Sequence, residues 1–177
     1  PGSTRSQLNK RQPSFSRRID SSGSDMAHPQ TTPPFEFSKI SENVFIGTNA
    51  CCRLHFDETL TAQGVTADIS LEGEAIDHPQ GVRTFVWLPT PDHAPPSYEN
   101  VLVGIAALKK MLKNGQKVYI TCKNGHGRAP TLYAAYLILE GSLSPEAAVQ
   151  AIKKRRSVIH LEDGQTAFLQ RLSAHKA

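Results

Sequence analysis

The chain has 177 residues, 38% of them hydrophobic and 20% charged, which suits one soluble domain with its own core and is short for two. Its net charge of +4 is unevenly spread: residues 1–30 carry five basic and two acidic side chains, residues 31–108 three and ten, and residues 109–177 twelve and four. An anionic ligand is therefore drawn to the C-terminal half, unless that charge is no more than lysines on solvated helix faces, and no apolar run approaches the roughly 18 residues of a membrane span.

Residues 1–34 are rich in Ser, Pro, Arg and Gln and hold few large apolar side chains, so a disordered basic tail is expected, followed by a single domain over 35–177. The opening PGS reads as a remnant of an expression vector and Met26 as a natural start, and the Arg- and Ser-rich composition also resembles an organelle transit peptide. From residue 35 the pattern becomes regular. NVFIG (43–47) predicts a strand, LHFDETLTAQG (54–64) a helix closed by Gly64, and VTADISLE and VRTFVWLP two further strands. Ser97 caps a long helix whose Val101, Ile105, Leu108 and Leu112 recur at three- and four-residue spacing up to Gly115. KVYIT (117–121) is a near-continuous apolar strand, the kind buried on both faces of a sheet. A helix from about Ala129 follows, then one with Ser144 and Pro145 at its start, then a last one over roughly 163–174. Strands alternating with helices predict an α/β fold, a central, mostly parallel sheet flanked by helices.

The three cysteines are Cys51, Cys52 and Cys122. An odd count with two adjacent is a poor disulfide framework, and no zinc-type pairing of C-x-x-C units occurs. A reducing compartment, the cytoplasm, is expected.

The segment VYITCKNGHGRAPTLYAAYLI (118–138) joins the buried strand to a helix and carries Cys122 and, six residues on, Arg128. That spacing alone means little. Its context means more, because in open α/β sheets ligands bind at the carboxyl ends of strands. Gly125 and Gly127 let backbone N–H groups turn inward, and with the helix N-terminus these amides make an anion cradle. The same field favours a thiolate at Cys122, and Arg128 adds a planar fork suited to two phosphoryl oxygens.

CKNGHGR is similar to the Cys-x5-Arg signature of the protein tyrosine phosphatase superfamily. Low-molecular-weight phosphatases carry that loop near the N-terminus, and rhodanese-like members lack an upstream acid. Here Asp92, in WLPTPDHAPPS, lies thirty residues before Cys122 with one long helix between. The order resembles the small atypical dual-specificity phosphatases over about residues 38–172. The resemblance implies phosphatase chemistry in two steps. Cys122 attacks phosphorus and forms a phosphocysteine. Arg128 and the loop from Lys123 through Asn124, Gly125, His126 and Gly127 bind the phosphoryl oxygens. Asp92 protonates the leaving oxygen and later activates water. Asp77 and Asp68 are weaker rivals for the acid, lying further upstream. No metal or other cofactor is implied. Gln165 is a candidate to position the hydrolytic water, or simply a polar residue at a helix start. The substrate implied is phosphotyrosine, with phosphoserine and phosphothreonine. Lys123 and His126 resemble basic loop residues of phosphoinositide and phosphatidylglycerophosphate phosphatases, which keeps a lipid substrate open, as is a pseudophosphatase that only binds phosphorylated partners. Nucleic acid is not an expected partner, since no aromatic platform flanks the loop, and a monomer is expected. The run Lys153–Arg156 reads as the solvated end of a helix, or an extension of an anion-binding surface.

Two positions depart from the family pattern. Thr121 stands where most relatives have His, and Ala129 where most have Ser or Thr. The hydroxyl missing at 129 ordinarily hydrogen-bonds the cysteine sulfur as it leaves, so slower hydrolysis of the phosphoenzyme is expected. Thr131 is the nearest candidate to replace it.

Overall fold

The computed structural model describes residues 34–51 and 56–175, so the expectations for the N-terminal segment before Pro34 lie outside the described residues. Five strands and five α-helices follow in the order β1 (Phe37–Lys39), β2 (Val44–Thr48), α1 (Glu58–Ala62), β3 (Val65–Glu72), β4 (Thr84–Thr90), α2 (Tyr98–Lys113), β5 (Lys117–Cys122), α3 (Arg128–Leu139), α4 (Pro145–Lys153) and α5 (Asp163–Ala174). A short 3-10 turn, Asn49–Cys51, follows β2. The strands form one sheet in the order β1-β2-β5-β3-β4, antiparallel only between β1 and β2.

The alternation of β5 explains its central place. Val118 and Ile120 point into the larger core, built with α2, α3 and α5, while Tyr119 points into a smaller one with Phe45, Phe56, Leu60 and Val65. Tyr119 is fully buried and donates its hydroxyl proton to Thr48 O at 2.8 Å. Covered on both faces, β5 delivers its last residue, Cys122, to the carboxyl edge of the sheet, beside Thr48 of β2.

Helix starts follow the caps that the sequence shows. Ser97 Oγ accepts from Asn100 N–H at 3.1 Å, and Ser144 Oγ from Ala147 N–H at 3.2 Å with Pro145 in the first turn. The helix expected over 54–64 is shorter. Asp57 caps it by accepting from Thr59 N–H at 2.7 Å, so helical structure begins at Glu58. Among the described residues no helix is long and apolar enough to cross a membrane.

Candidate active site

The loop between β5 and α3 wraps around Gly125, whose φ is +64° and whose Cβ, if it had one, would lie 2.6 Å from Gly47 C and O. Both the left-handed conformation and the close approach require glycine there. Three successive carbonyls of this loop are tied outward. Asn124 O accepts from Arg156 Nη2 at 3.1 Å, Gly125 O from Arg156 Nε at 2.9 Å, and His126 O from His160 N–H at 3.2 Å. In a trans peptide the carbonyl and the following N–H point in opposite directions. The amides of Gly125 and His126 therefore face away from Arg156, which does not border the pocket.

That pocket is small, about 60 Å³. On the same measure one water needs about 10–15 Å³, so the space suits a phosphoryl group with its first attached atoms. The loop contributes Cys122, Asn124, His126, Gly127 and Arg128. The turn after β4 contributes Asp92 and His93, and the segment entering α5 contributes His160, Glu162 and Gln165. Cys122 and Asp92, thirty residues apart in sequence, thus meet at one cavity.

Arg128, the first residue of α3, keeps only 2% of its side chain exposed. Its Nη1 donates to Thr90 O at 2.8 Å and to the two carboxylate oxygens of Glu74 at 2.8 and 3.1 Å. Its Nη2 lies 3.1 Å from Asp92 Oδ1. Glu74 Oε1 also accepts from Asp92 N–H at 3.0 Å, so one carboxylate bridges the Arg128 guanidinium and the backbone of Asp92. Sequence reasoning missed Glu74, which sits in the loop after β3, 54 residues from Arg128. It also misjudged Arg156. Lys153, Lys154 and Arg155 are exposed, but Arg156 is 3% exposed and turned under the loop, where Glu36 Oε1 accepts from its Nη2 at 2.6 Å. The alternative pair of acids is placed elsewhere. Asp68 and Asp77 are buried and do not border the pocket; Asp77 accepts from Ser70 Oγ at 2.6 Å. Burial, with the Asp77 carboxylate nearby, pushes the Asp68 carboxyl well above the usual carboxylate range.

The remaining expected residues divide. His126 borders the pocket, whereas Lys123 does not. Burial and the neighbouring Arg156 guanidinium hold His126 below the ordinary histidine range. Gln165 borders the pocket too, yet both ends of its amide are engaged: Oε1 accepts from Glu162 N–H at 3.1 Å, in a capping box, and Nε2 donates to Ala94 O at 3.0 Å. Thr131 donates its hydroxyl proton to Gly127 O at 2.8 Å rather than to the cysteine sulfur. Ala129 is fully buried in the main core, and Thr121, also buried, lies near the Asp68 carboxyl.

Residues 45–175 match the family described as the dual specificity phosphatase catalytic domain. The human phosphatidylglycerophosphatase and protein-tyrosine phosphatase 1 is 45% identical over 74 residues, which is 42% of this chain and 37% of that protein; the rat protein is 40% identical over 74 residues. The matched stretch thus spans little more than a third of these curated relatives. Among solved structures, PTPMT1 in complex with PI(5)P superposes with a TM-score of 0.67 at 26% identity, covering 79% of this chain and 96% of that one. Human DUSP28, at 23% identity, shares the fold with a TM-score of 0.70, covering 78% of this chain and 96% of that one. With strand, loop and helix in the family's order around Cys122, this chain belongs to the dual specificity phosphatase catalytic-domain family.

Proposed function

We propose that the protein hydrolyses phosphomonoesters, phosphotyrosine first and phosphoserine or phosphothreonine after it, with Cys122 as nucleophile, Arg128 as oxyanion partner and Asp92 as acid. One observation carries this reading: two loop carbonyls are fixed outward on Arg156 while Cys122, Arg128 and Asp92 border one cavity of phosphoryl size. A phosphoryl group entering there meets amide donors without any reorganisation of the loop, the condition under which such donors stabilise a transition state most. Its oxygens exchange with the carboxylates of Glu74 and Asp92 for the Arg128 guanidinium. That exchange frees Asp92 to face the leaving oxygen. The Cys122 thiolate then attacks phosphorus, the ester bond breaks, and Asp92 delivers its proton to the departing oxygen. In the second step Asp92 takes a proton from water as water attacks the phosphocysteine and the thiolate leaves. At that moment neither Ala129 nor the engaged hydroxyl of Thr131 offers the sulfur a donor. A reducing compartment, the cytoplasm first, suits a reaction that needs Cys122 as the free thiol it is.

A lipid or inositol phosphate is the second reading. His126 at the cavity favours it, as does the similarity to a protein named for both phosphatidylglycerophosphatase and protein-tyrosine phosphatase activity. Phosphate release from phosphotyrosine, phosphoserine and phosphothreonine peptides, phosphoinositides, phosphatidylglycerophosphate and RNA 5′-triphosphate separates the readings. Cys122→Ser is expected to abolish release from every substrate that wild type cleaves. A mutant that keeps pace with wild type on any of them removes Cys122 from the reaction.

A further inference from the structure

The turn carrying Asp92 is anchored by a residue that the reaction itself leaves unassigned. His93 follows the acid with a φ of +61°, a left-handed conformation uncommon for a side chain of its size. That backbone turn swings the imidazole between two carboxylates from different parts of the fold. Nδ1 lies 2.9 Å from Glu162 Oε1, at the N-cap of α5, and Nε2 lies 3.8 Å from Asp92 Oδ2. The His93 N–H also donates to Asp92 Oδ1 at 3.1 Å. One residue on, Ala94 O accepts from Gln165 of α5. The acid's turn is thus fastened to α5 at two successive residues, while Glu74 fastens its other side to Arg128.

We propose that His93 is a positioning residue: paired with Glu162, it clasps the acid-bearing turn against the start of α5 and so sets where Asp92 meets the leaving oxygen. The inference rests on the assignment of Asp92 as the acid. A protonated imidazole adds its charge between the two carboxylates, whereas a neutral one keeps only an Nδ1–H bond to Glu162, so the clasp is tighter at low pH. The groups facing His93 are Asp92 on its own turn, Glu162 before α5 with His160 3.7 Å from the same carboxylate oxygen, Arg128 of α3, and Glu74 behind Asp92. The hydrogen bond to Glu162 and the charge of Asp92 raise the histidine above its ordinary range, more than the Arg128 charge lowers it. The sign follows. The clasp is tightest below the ordinary histidine range, persists somewhat above it, and loosens as pH rises through the raised value.

The test exploits the fact that a general acid matters most when the leaving group is poor. kcat and KM are measured for phenyl phosphate and for 6,8-difluoro-4-methylumbelliferyl phosphate, from about pH 6 to about pH 9. The variants are His93→Asn, Glu162→Gln, the double mutant and Asp92→Asn. Asn tolerates the positive φ, so strain is not added. On the scale of an exposed ion pair, His93→Asn is expected to lower kcat/KM, which reports the phosphorylating step, for phenyl phosphate about two- to five-fold at low pH, with less effect on the fluorinated ester. The wild-type advantage closes as pH rises, and Glu162→Gln adds nothing to His93→Asn. Equal losses on both esters at every pH, or fully additive losses in the double mutant, overturn the clasp. Asp92→Asn separates the two claims. If it too shows no dependence on the leaving group, the acid assignment fails; if it shows one while His93→Asn does not, the clasp alone fails.

Discussion

The two loops that meet over the cavity are built from different materials. The catalytic loop, 122–128, is held from inside: its arginine is 2% exposed, and its carbonyls are fastened to Arg156, itself 3% exposed, and to a backbone amide. The acid turn around Asp92 is held mostly from outside, by side chains that stay 40–77% exposed, Glu74, Glu162 and His93, with one contact each from the buried Arg128 and Gln165. Buried hydrogen bonds to charged groups contribute about 1.5–3 kcal/mol each, whereas exposed ion pairs contribute about 0.2–1 kcal/mol. The anion site is therefore set in advance, and the proposed acid is on a part that can be displaced at smaller cost. Such a division suits a reaction in which phosphate affinity must precede chemistry, and in which the acid must let product leave.

Removing the buried anchor should break that contrast most severely. Arg156→Met leaves the Asn124 and Gly125 carbonyls without their donor and Glu36 without its partner. With the carbonyls free to turn inward, kcat/KM should fall about 100-fold or more, the value of two charge-assisted hydrogen bonds. Vanadate inhibition should weaken in parallel, while circular dichroism confirms a folded domain. Vanadate affinity and kcat within about two-fold of wild type would show that the loop keeps its shape unaided, and that the inside-outside distinction is empty.

Glu74→Gln sharpens the comparison, because Glu74 belongs to both loops. Losing its charge frees Arg128 for the substrate phosphate and loosens the acid turn at once. KM and kcat should both fall, each about three- to five-fold, with kcat/KM changed much less. A raised KM would mean that the Glu74 carboxylate assists binding, and would reverse its reading as a competitor for the arginine.

The catalytic loop was legible in the sequence because everything that makes it is local. A buried strand, two glycines, an arginine and a helix start occupy consecutive positions, and the caps of α2 and α4 sit where Ser97 and Ser144 announce them. The mostly parallel sheet followed from the alternation of strand and helix patterns. The outer supports were not legible. Glu74 reaches Arg128 across 54 residues and Glu36 reaches Arg156 across 120, and no periodicity links such pairs. Arg156 looks like its three exposed neighbours until the turn after α4 carries it beneath the loop. Gln165 and Thr131 were noticed for the right neighbourhood, but what each side chain bonds is settled only by its nearest partner, here Ala94 O and Gly127 O.

The smallest effect concerns the step that neither loop serves well. In the hydrolysis of a phosphocysteine the leaving group is the Cys122 thiolate, and a nearby hydroxyl would stabilise it by about 1.5–3 kcal/mol. Position 129 is the first residue after Arg128 and is fully buried in the main core. A serine there would sit in the first turn of α3, where free amides already favour negative charge. Its hydroxyl must also be buried in a packed site, at a cost of about 1–3 kcal/mol when poorly partnered, which offsets most of the gain. Ala129→Ser should therefore raise steady-state turnover only about two- to three-fold. The rate of the first, phosphorylating step should not change, because the thiolate is then the attacking group. Rapid-quench measurements on wild type should show a burst of released alcohol or phenol close to one equivalent of enzyme, followed by slower turnover. Absence of a burst, together with unchanged turnover in Ala129→Ser, would place the slow step before the phosphocysteine. The acid turn, rather than the catalytic loop, would then limit the rate.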